Sequence, residues 1–204
     1  MSTKTTELYL VRHGRTDWNA LGLLQGKIER ELDEEGRRQA QKVAEEFADI
    51  PFSTIYSSTM VRARQTAEII ALTRGCVVTP IEGLHERSYG TCEGMDHTVY
   101  EQKFMKEIAK GKSLPLEEYL RHQIAEGYET AQEVIDRALP RLKEIEQKHR
   151  GEKVLIVCHG GIIRTLVIYL LKKPDLEFSI PNGGHIRLLS GKELFNVFYE
   201  EVLP

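Results

Sequence analysis

Apolar runs of strand length alternate along this chain with stretches in which apolar residues recur at helical spacing. The strand-like runs cover residues 8–11, 53–57, 76–80 and 154–158, and two more, 186–189 and 194–199, flank the turn at 190–192. Helical spacing follows Asp33, Ser58 or Thr59, and Thr130, which can act as N-caps, and returns at 162–171. Alternating strands and helices predict an α/β sandwich around a mostly parallel central sheet.

Three interruptions in this pattern carry predictions of their own. Pro51 is expected to end the helix that Asp33 begins, and Pro140 to end or kink the helix that Thr130 begins. The residues at about 95–130 are polar, mixed in charge and only weakly periodic, with Gly111 and Pro115 among them. We expect this stretch to be a cap-like insertion over a crevice of the sheet.

Composition limits the class of protein and of partner. With 204 residues, 41% hydrophobic and 29% charged, the chain suits one globular domain spanning 1–204. A net charge of −3 gives no basic footprint, which argues against a nucleic acid or a membrane surface as partner. The polar N-terminus, the lack of a membrane-length apolar run and three scattered cysteines predict a cytoplasmic location.

Two histidines follow strand-like runs directly. Arg12, His13 and Gly14 come after the first run, and His159 with Gly160 comes after the run at 154–158. Ligands in open α/β sheets bind beyond the carboxyl ends of the strands, so both histidines are expected in one site. A histidine followed by glycine is, taken alone, more often a loop residue than a nucleophile, and the position of both pairs at strand ends favours catalysis.

The residues near this crevice suit phosphoryl transfer. That reaction needs cations on the phosphoryl oxygens, for which Arg12, Arg62 and His159 are the candidates. His13 can attack phosphorus and form a covalent intermediate. Glu86, in a glycine-punctuated loop, can protonate the leaving oxygen and later deprotonate water. The other histidines lack metal-ligand spacing, so we expect no metal and no cofactor.

The order of motifs resembles a known family over nearly the whole chain. The motifs are LYLVRHGRTDWN from Leu8, Gln25-Gly26, GRRQA from Gly36, YSSTMVRA from Tyr56, LHERSYG from Leu84 with Glu93-Gly94, and VCHG from Val157. Together they resemble the histidine phosphatase superfamily, in the branch of cofactor-dependent phosphoglycerate mutases and their phosphatase relatives. The resemblance implies a three-layer α/β/α sandwich of the phosphoglycerate mutase-like kind.

The resemblance also implies roles for individual residues. His13 would become phosphorylated, Arg12, Arg62 and His159 would complete the phosphate pocket, and Glu86 would be the proton donor. Substrate-binding positions would be contributed by Thr16 and Asn19 at the pocket edge and by Gln25, Gly26 and Gly160. Departures from the family pattern at Thr59, Cys92, Glu129 and Thr130 bear on substrate choice rather than on phosphoryl chemistry.

Within the family the sequence favours a metal-independent phosphatase of a small phosphorylated metabolite over a mutase. Mutases carry a longer insertion and a C-terminal tail, whereas residues 199–204 are few for a lid. A mutase and a non-catalytic module that binds a phosphate ligand stay as alternatives, and the substrate class ranges over α-ribazole phosphate, phosphoserine and sugar phosphates. A homodimer is left open. Arg15 or Arg87 is expected to contact a second anionic or polar group of the substrate, unless both are solvated.

Overall fold

A computed structural model describes residues 5–191 and 194–198 of the chain. Within them the strands are β1 (Glu7–Arg12), β2 (Phe52–Ser58), β3 (Val78–Ile81), β4 (Lys153–Cys158), β5 (His185–Ser190) and β6 (Phe195–Phe198). They form one sheet in the order β3-β2-β4-β1-β5-β6. The first four strands pair in parallel, and β5 and β6 are antiparallel to their neighbours. The predicted mostly parallel sheet is confirmed.

The helices of the described residues lie between these strands in the predicted alternation. They are α1 (Asp17–Ala20), α2 (Glu34–Glu46), α3 (Val61–Leu72), α4 (His97–Ser113), α5 (Leu116–Arg121), α6 (Ala131–Lys148) and α7 (Gly160–Leu171), with a short 3-10 helix at Gly90–Cys92. One face of the sheet packs on α2 and α3, and the other face packs on α6 and α7. The sandwich therefore has the three expected layers.

Strand register brings the two histidine segments together. In β1 and β4, which are neighbours in the sheet, Arg12 lies opposite Cys158. His13, the residue that directly follows β1, donates its backbone N–H to the Cys158 carbonyl at 3.0 Å. His13 and His159 thus leave the same edge of the sheet side by side, because parallel strands present their carboxyl ends together.

The predicted helix starts hold in two cases and fail in one. The side chain of Asp33 accepts from the Gly36 N–H at the start of α2, and Thr130 forms a capping box with Glu133 at the start of α6. The prediction that Ser58 or Thr59 caps α3 was wrong. The N-cap is Met60, which makes no side-chain cap, and the carboxylate of Glu29 accepts the Val61 N–H instead at 3.0 Å.

Pro140 was expected to end or kink this helix; it lies inside α6, so it does not end it. Its missing N–H leaves the carbonyl of Asp136 without a helical donor, but both residues are on the exposed side, where water can replace that bond. The opposite side of α6 packs its apolar residues into the core. Apolar residues of α6 before and after Pro140 pack into the core, and this packing keeps the helix continuous.

The stretch at 95–130 contains helices that the sequence pattern did not predict. Helix α4 runs for 17 residues with Gly111 inside it, and α5 follows. The apolar residues of α4 join a separate small cluster built on Leu24, Cys92, Tyr100 and Tyr128. A helix that packs on a small satellite cluster needs only a narrow apolar stripe, which explains the weak periodicity.

The remaining boundaries differ by a few residues. The third strand is shifted to Val78–Ile81, and α7 already begins at Gly160. The predicted terminal hairpin is present as β5 and β6, while Lys192 and Tyr199, included in that prediction, lie outside the described residues. No helix among the described residues is long and apolar enough to cross a membrane.

Candidate active site

His13 is held so that one ring nitrogen is free to attack. The side chain is buried, and Nδ1 lies 2.7 Å from the carbonyl oxygen of Gly14. A carbonyl only accepts hydrogen bonds, so Nδ1 carries the proton and Nε2 carries the lone pair. Burial, with Arg62 and Arg12 close by, holds the pKa of His13 well below its usual value. The imidazole is therefore neutral, as a nucleophile must be.

Arg62 stands directly beside this lone pair. It lies in the first turn of α3 and is almost completely buried. Its Nε donates to His13 Nε2 at 3.2 Å, and its two terminal nitrogens donate to the carbonyls of Ile28 at 3.0 Å and Gly26 at 2.8 Å. The backbone thus fixes the plane of the guanidinium, which places a permanent cation at the point of attack.

His159 completes a pair of imidazoles. Its ring centroid lies 5.1 Å from that of His13, and the side chain is fully buried. The Ser58 hydroxyl oxygen accepts the Met60 N–H and lies 2.9 Å from His159 Nε2, so its own hydrogen is available to that nitrogen. In the tautomer in which the Ser58 hydroxyl donates to Nε2, the proton is on Nδ1, which makes no hydrogen bond within the described residues. It is a donor suited to a phosphoryl oxygen.

Arg12 supplies the second arginine of the site. One terminal nitrogen donates to the Ile180 carbonyl at 2.6 Å, and the buried Nε has no partner among the described residues. Burial lowers the pKa of Arg12, and the negative charge of Glu86 opposes that change. Arg12, His13, Arg62 and Glu86 all line one cavity of about 500 Å³. The two arginines, the nucleophile and the carboxyl group predicted from the sequence therefore share one space, whereas His159 is not among its lining residues in the described part of the chain.

Glu86 is oriented by two backbone N–H groups. Oε1 accepts from Arg87 at 2.7 Å, and Oε2 accepts from Gly161 at 3.1 Å, in the first turn of α7. The N-terminus of α7 lies at the same cavity, since Gly160 and Gly161 are both on its wall. A helix N-terminus favours an anion, so α7 adds to the attraction for a phosphoryl group.

Asn19 lines the cavity as predicted, whereas Thr16 does not lie among the lining residues that the structure describes. Thr16 is fully buried and caps α1, where its hydroxyl accepts the Asn19 N–H. Its hydroxyl is used inside the loop, so the prediction that it binds substrate was wrong. Asn182, which sequence reasoning missed, donates to the His13 carbonyl at 3.0 Å and to Asn19 Oδ1 at 3.2 Å.

Gln25 and Gly26 form the wall opposite α7. Both line the cavity, and Gly26 has φ +52°, a conformation that glycine adopts at little cost. The carboxylate of Glu93 joins this loop to the one that carries Glu86, because Oε1 accepts the N–H groups of Lys27 and Tyr89, both at 3.1 Å. The two loops are therefore held as one unit.

Arg15 and Arg87, expected to reach a second group of the substrate, are both engaged elsewhere. Arg15 forms an ion pair with Asp33 at 2.8 Å and is not on the cavity wall of the described residues. Arg87 donates to the Glu129 carbonyl at 2.6 Å, and its guanidinium carbon lies 4.5 Å from the ring centre of Tyr128. Neither residue lines the cavity that contains His13 in the described part of the chain.

Several cavity residues were not predicted from the sequence. They come from the loops and helices around the rim: Leu24, Tyr89, His97, Arg164, Phe178 and Asn182. Arg164 could have been found, because residues three and four positions apart share a helix face, and Arg164 follows Gly161 and Gly160 at those intervals. No pattern marks Asn182, which reaches the site through the fold of the loop before β5.

The fold and the site define an α/β protein with a neutral nucleophilic imidazole, two buried arginines and one carboxyl group on the wall of a single cavity, and with a second imidazole, His159, packed against the nucleophile. Within residues 5–191 and 194–198, no group of three or more His, Cys, Asp or Glu residues could hold a metal ion. The nucleophilic imidazole, the cations and the carboxyl group form the arrangement expected for phosphoryl transfer through a histidine.

Comparison with known proteins gives the family. The model of the histidine phosphatase superfamily (branch 1) matches residues 8–193, and the chain belongs to this superfamily. It is 35% identical over 175 residues to the metal-independent phosphoserine phosphatase of Arabidopsis thaliana, covering 82% of this chain and 70% of that protein. It is 38% identical over 164 residues to phosphoglycerate mutase-like protein 4 of the same organism, covering 78% and 69%.

A solved structure shows the same architecture. The phosphoserine phosphatase of Entamoeba histolytica in complex with 3-phosphoglyceric acid superposes with a TM-score of 0.81 at 27% identity, covering 97% of this chain and 98% of that one. The family resemblance of the motifs and the predicted fold class are thereby confirmed.

Proposed function

We propose that the chain is a phosphomonoesterase that hydrolyses a small phosphorylated metabolite, without a metal ion, through a phosphohistidine on His13. The observation that carries the proposal is the state of His13. Nδ1 is tied to a carbonyl at 2.7 Å, so the lone pair is on Nε2, which accepts a hydrogen bond from the buried guanidinium of Arg62 at 3.2 Å. A phosphoryl oxygen that takes over this donor releases the lone pair for attack. A lone pair and a fixed cation in that position suit attack on a phosphoryl group.

The first half of the reaction transfers the phosphoryl group to the enzyme. Arg12, Arg62 and the Nδ1–H of His159 neutralise the phosphoryl oxygens, and His13 Nε2 forms a bond to phosphorus. The bond from phosphorus to the ester oxygen breaks, and Glu86 in its acid form gives its proton to that oxygen. The products of this half are the free alcohol, phosphohistidine and the Glu86 carboxylate.

The second half returns the enzyme to its starting state. The Glu86 carboxylate removes a proton from a water molecule, whose oxygen attacks phosphorus while the bond to His13 Nε2 breaks. Inorganic phosphate leaves, and Glu86 is again an acid. One carboxyl group held by two N–H donors therefore serves in both directions.

The test is the fate of phosphate on His13. We expect His13→Ala to retain its circular dichroism spectrum and to release no phosphate from p-nitrophenyl phosphate. Wild-type protein quenched during turnover of a labelled ester should carry acid-labile, base-stable phosphate. Label on serine or aspartate would refute the mechanism.

The alternatives are separated by product analysis. A mutase would convert 3-phosphoglycerate to 2-phosphoglycerate with little phosphate released, and a non-catalytic module would bind phosphate esters without turnover. We expect phosphate as the main product.

We assign the reaction to the cytoplasm, where the free thiols of Cys92 and Cys158 suit a reducing compartment.

A further inference from the structure

A second chamber opens from the phosphate cavity beneath α4 and α5. We call it the cap chamber; it has a volume of about 220 Å³. It shares wall residues with the phosphate cavity, namely Leu24, Tyr89, His97, Gly161 and Arg164. A substrate whose phosphoryl group lies against His13 can therefore extend its alcohol part past this shared wall into the cap chamber.

Most of the cap chamber's wall is neutral, with tyrosines on several sides. They are Tyr89, Tyr100, Tyr119 and Tyr128. Burial raises the pKa of Tyr89, Tyr100 and Tyr119 above the usual value. These hydroxyl groups stay protonated and uncharged at neutral pH, so the tyrosines do not repel an anion.

Most charged groups on this wall already have a partner. Glu101 and Glu107 lie 3.6 Å and 3.7 Å from the histidines His97 and His122. Lys112 pairs with Glu177 at 3.1 Å. Arg87 is also a cation of this wall, but it is held by the Glu129 carbonyl and by the ring of Tyr128, so Arg164 is the cation of the described wall that has no such partner.

Arg164 has no hydrogen bond or ion pair within the part of the chain that the structure describes, and its side chain is exposed. It lies on α7 three residues after Gly161, whose N–H holds Glu86. Residues at this spacing occupy one face of a helix, so Arg164 is one turn beyond the proton donor. Arg164 and Tyr119 both lie on the wall of the cap chamber.

We propose that Arg164 is a specificity-determining residue that binds a second anionic group, on the alcohol part of the substrate, at the mouth of the cap chamber. The inference rests on the proposed phosphatase function and adds a substrate class to it. A guanidinium can hold a carboxylate or a phosphate with two parallel hydrogen bonds. Preferred substrates are thus phosphomonoesters that carry a further carboxylate or phosphate.

The test compares matched substrates in Arg164→Gln. Phosphoserine and phosphoethanolamine differ by one carboxylate, and fructose 1,6-bisphosphate and fructose 6-phosphate differ by one phosphate. A lost hydrogen bond between charged groups changes binding roughly ten- to a hundredfold. For each pair we compare the kcat/KM of the substrate with the extra anion with that of the simpler substrate. In Arg164→Gln this ratio should fall by about that factor for one of the two pairs, and that pair shows whether Arg164 binds a carboxylate or a phosphate. Arg164→Lys should restore part of the ratio.

Arg121→Gln is the control, because Arg121 ends α5 and is exposed but does not line either cavity among the described residues. The proposal is overturned if Arg164→Gln leaves both ratios unchanged, or if Arg121→Gln lowers them equally. Calorimetry should also measure the binding of the same substrate pairs to His13→Ala and to the double variant His13→Ala with Arg164→Gln. This measurement separates the role of Arg164 in binding from the phosphatase function. Arg164-dependent binding without wild-type hydrolysis would refute the phosphatase function alone, and hydrolysis without a preference for the anion would refute the role of Arg164 alone.

Discussion

A methyl group at Gly161 should displace the proton donor without disturbing the fold. A Cβ added at Gly161 would lie 2.5 Å from Oε1 of Glu86, 3.2 Å from its Cδ and 3.3 Å from the Tyr89 hydroxyl oxygen. Real Cβ contacts essentially never fall below 3.0 Å. The carboxylate must therefore withdraw by roughly half an ångström or more, since overlap at that distance is not tolerated.

The structure sets the expected magnitudes for Gly161→Ala. The obstructing atoms are at the end of a flexible side chain, so Glu86 moves rather than α7. Alanine is favoured over glycine in a helix by up to about 1 kcal/mol, so the free energy of unfolding should stay level or rise. A misplacement of about 1 Å can cost on the order of a hundredfold in rate, and losing general acid catalysis costs a similar factor.

The assay is kcat for an alkyl phosphate and for p-nitrophenyl phosphate in Gly161→Ala, Glu86→Gln and the double variant, with thermal unfolding of each. We expect kcat for the alkyl ester to fall by about ten- to a hundredfold, and less for the aryl ester, whose leaving group needs little protonation. Because both changes act on one carboxyl group, the double variant should be no slower than Glu86→Gln. Additive losses, or a lowered melting temperature, would refute the reasoning.

Three further outcomes are expected. Activity should survive a strong chelator, since charge neutralisation is assigned to arginines and a histidine; loss in EDTA that magnesium restores would contradict this. The free energy of unfolding should be level above about pH 6.5 and decrease below that pH. The pKa values of His13 and His159 are lowered in the folded state, so the unfolded chain binds protons that the folded protein does not. Urea titrations at pH 7.5 and 5.5 check the sign, and equal free energies at the two pH values would refute it. Asn182→Ala should lower kcat/KM roughly tenfold with an unchanged circular dichroism spectrum, because His13 and Asn19 each lose a donor; unaltered kinetics would remove its positioning role.

The sequence predicted the sheet and the central residues of the site because both follow from short-range patterns. Buried parallel strands appear as continuous apolar runs, and Arg12, His13 and His159 follow two of them directly. Arg62 could be placed because it lies in the first turn of a recognisable helix. The positions of these residues depend mainly on where strands end.

The helices within residues 95–130 and the site residues that the sequence did not predict depend on contacts between distant segments. Helix α4 packs on a satellite cluster, which leaves little periodic signal. Thr16 was assigned to the pocket edge because of the family resemblance of its motif, whereas the fold uses its side chain in a capping box with Asn19. Asn182 reaches His13 across 169 positions of sequence, and no local pattern reports such a contact.

The pairing of β1 with β4 ties the catalytic loops to the most protected part of the molecule. Val11 and Val157, just before the two histidine segments, are completely buried in the middle of the sheet. Amide exchange at such positions requires global unfolding, whereas a segment held by a small cluster opens at lower cost. A protease that cuts within α4 during such an opening would loosen the cover of the cap chamber and leave both histidines in place at the ends of β1 and β4.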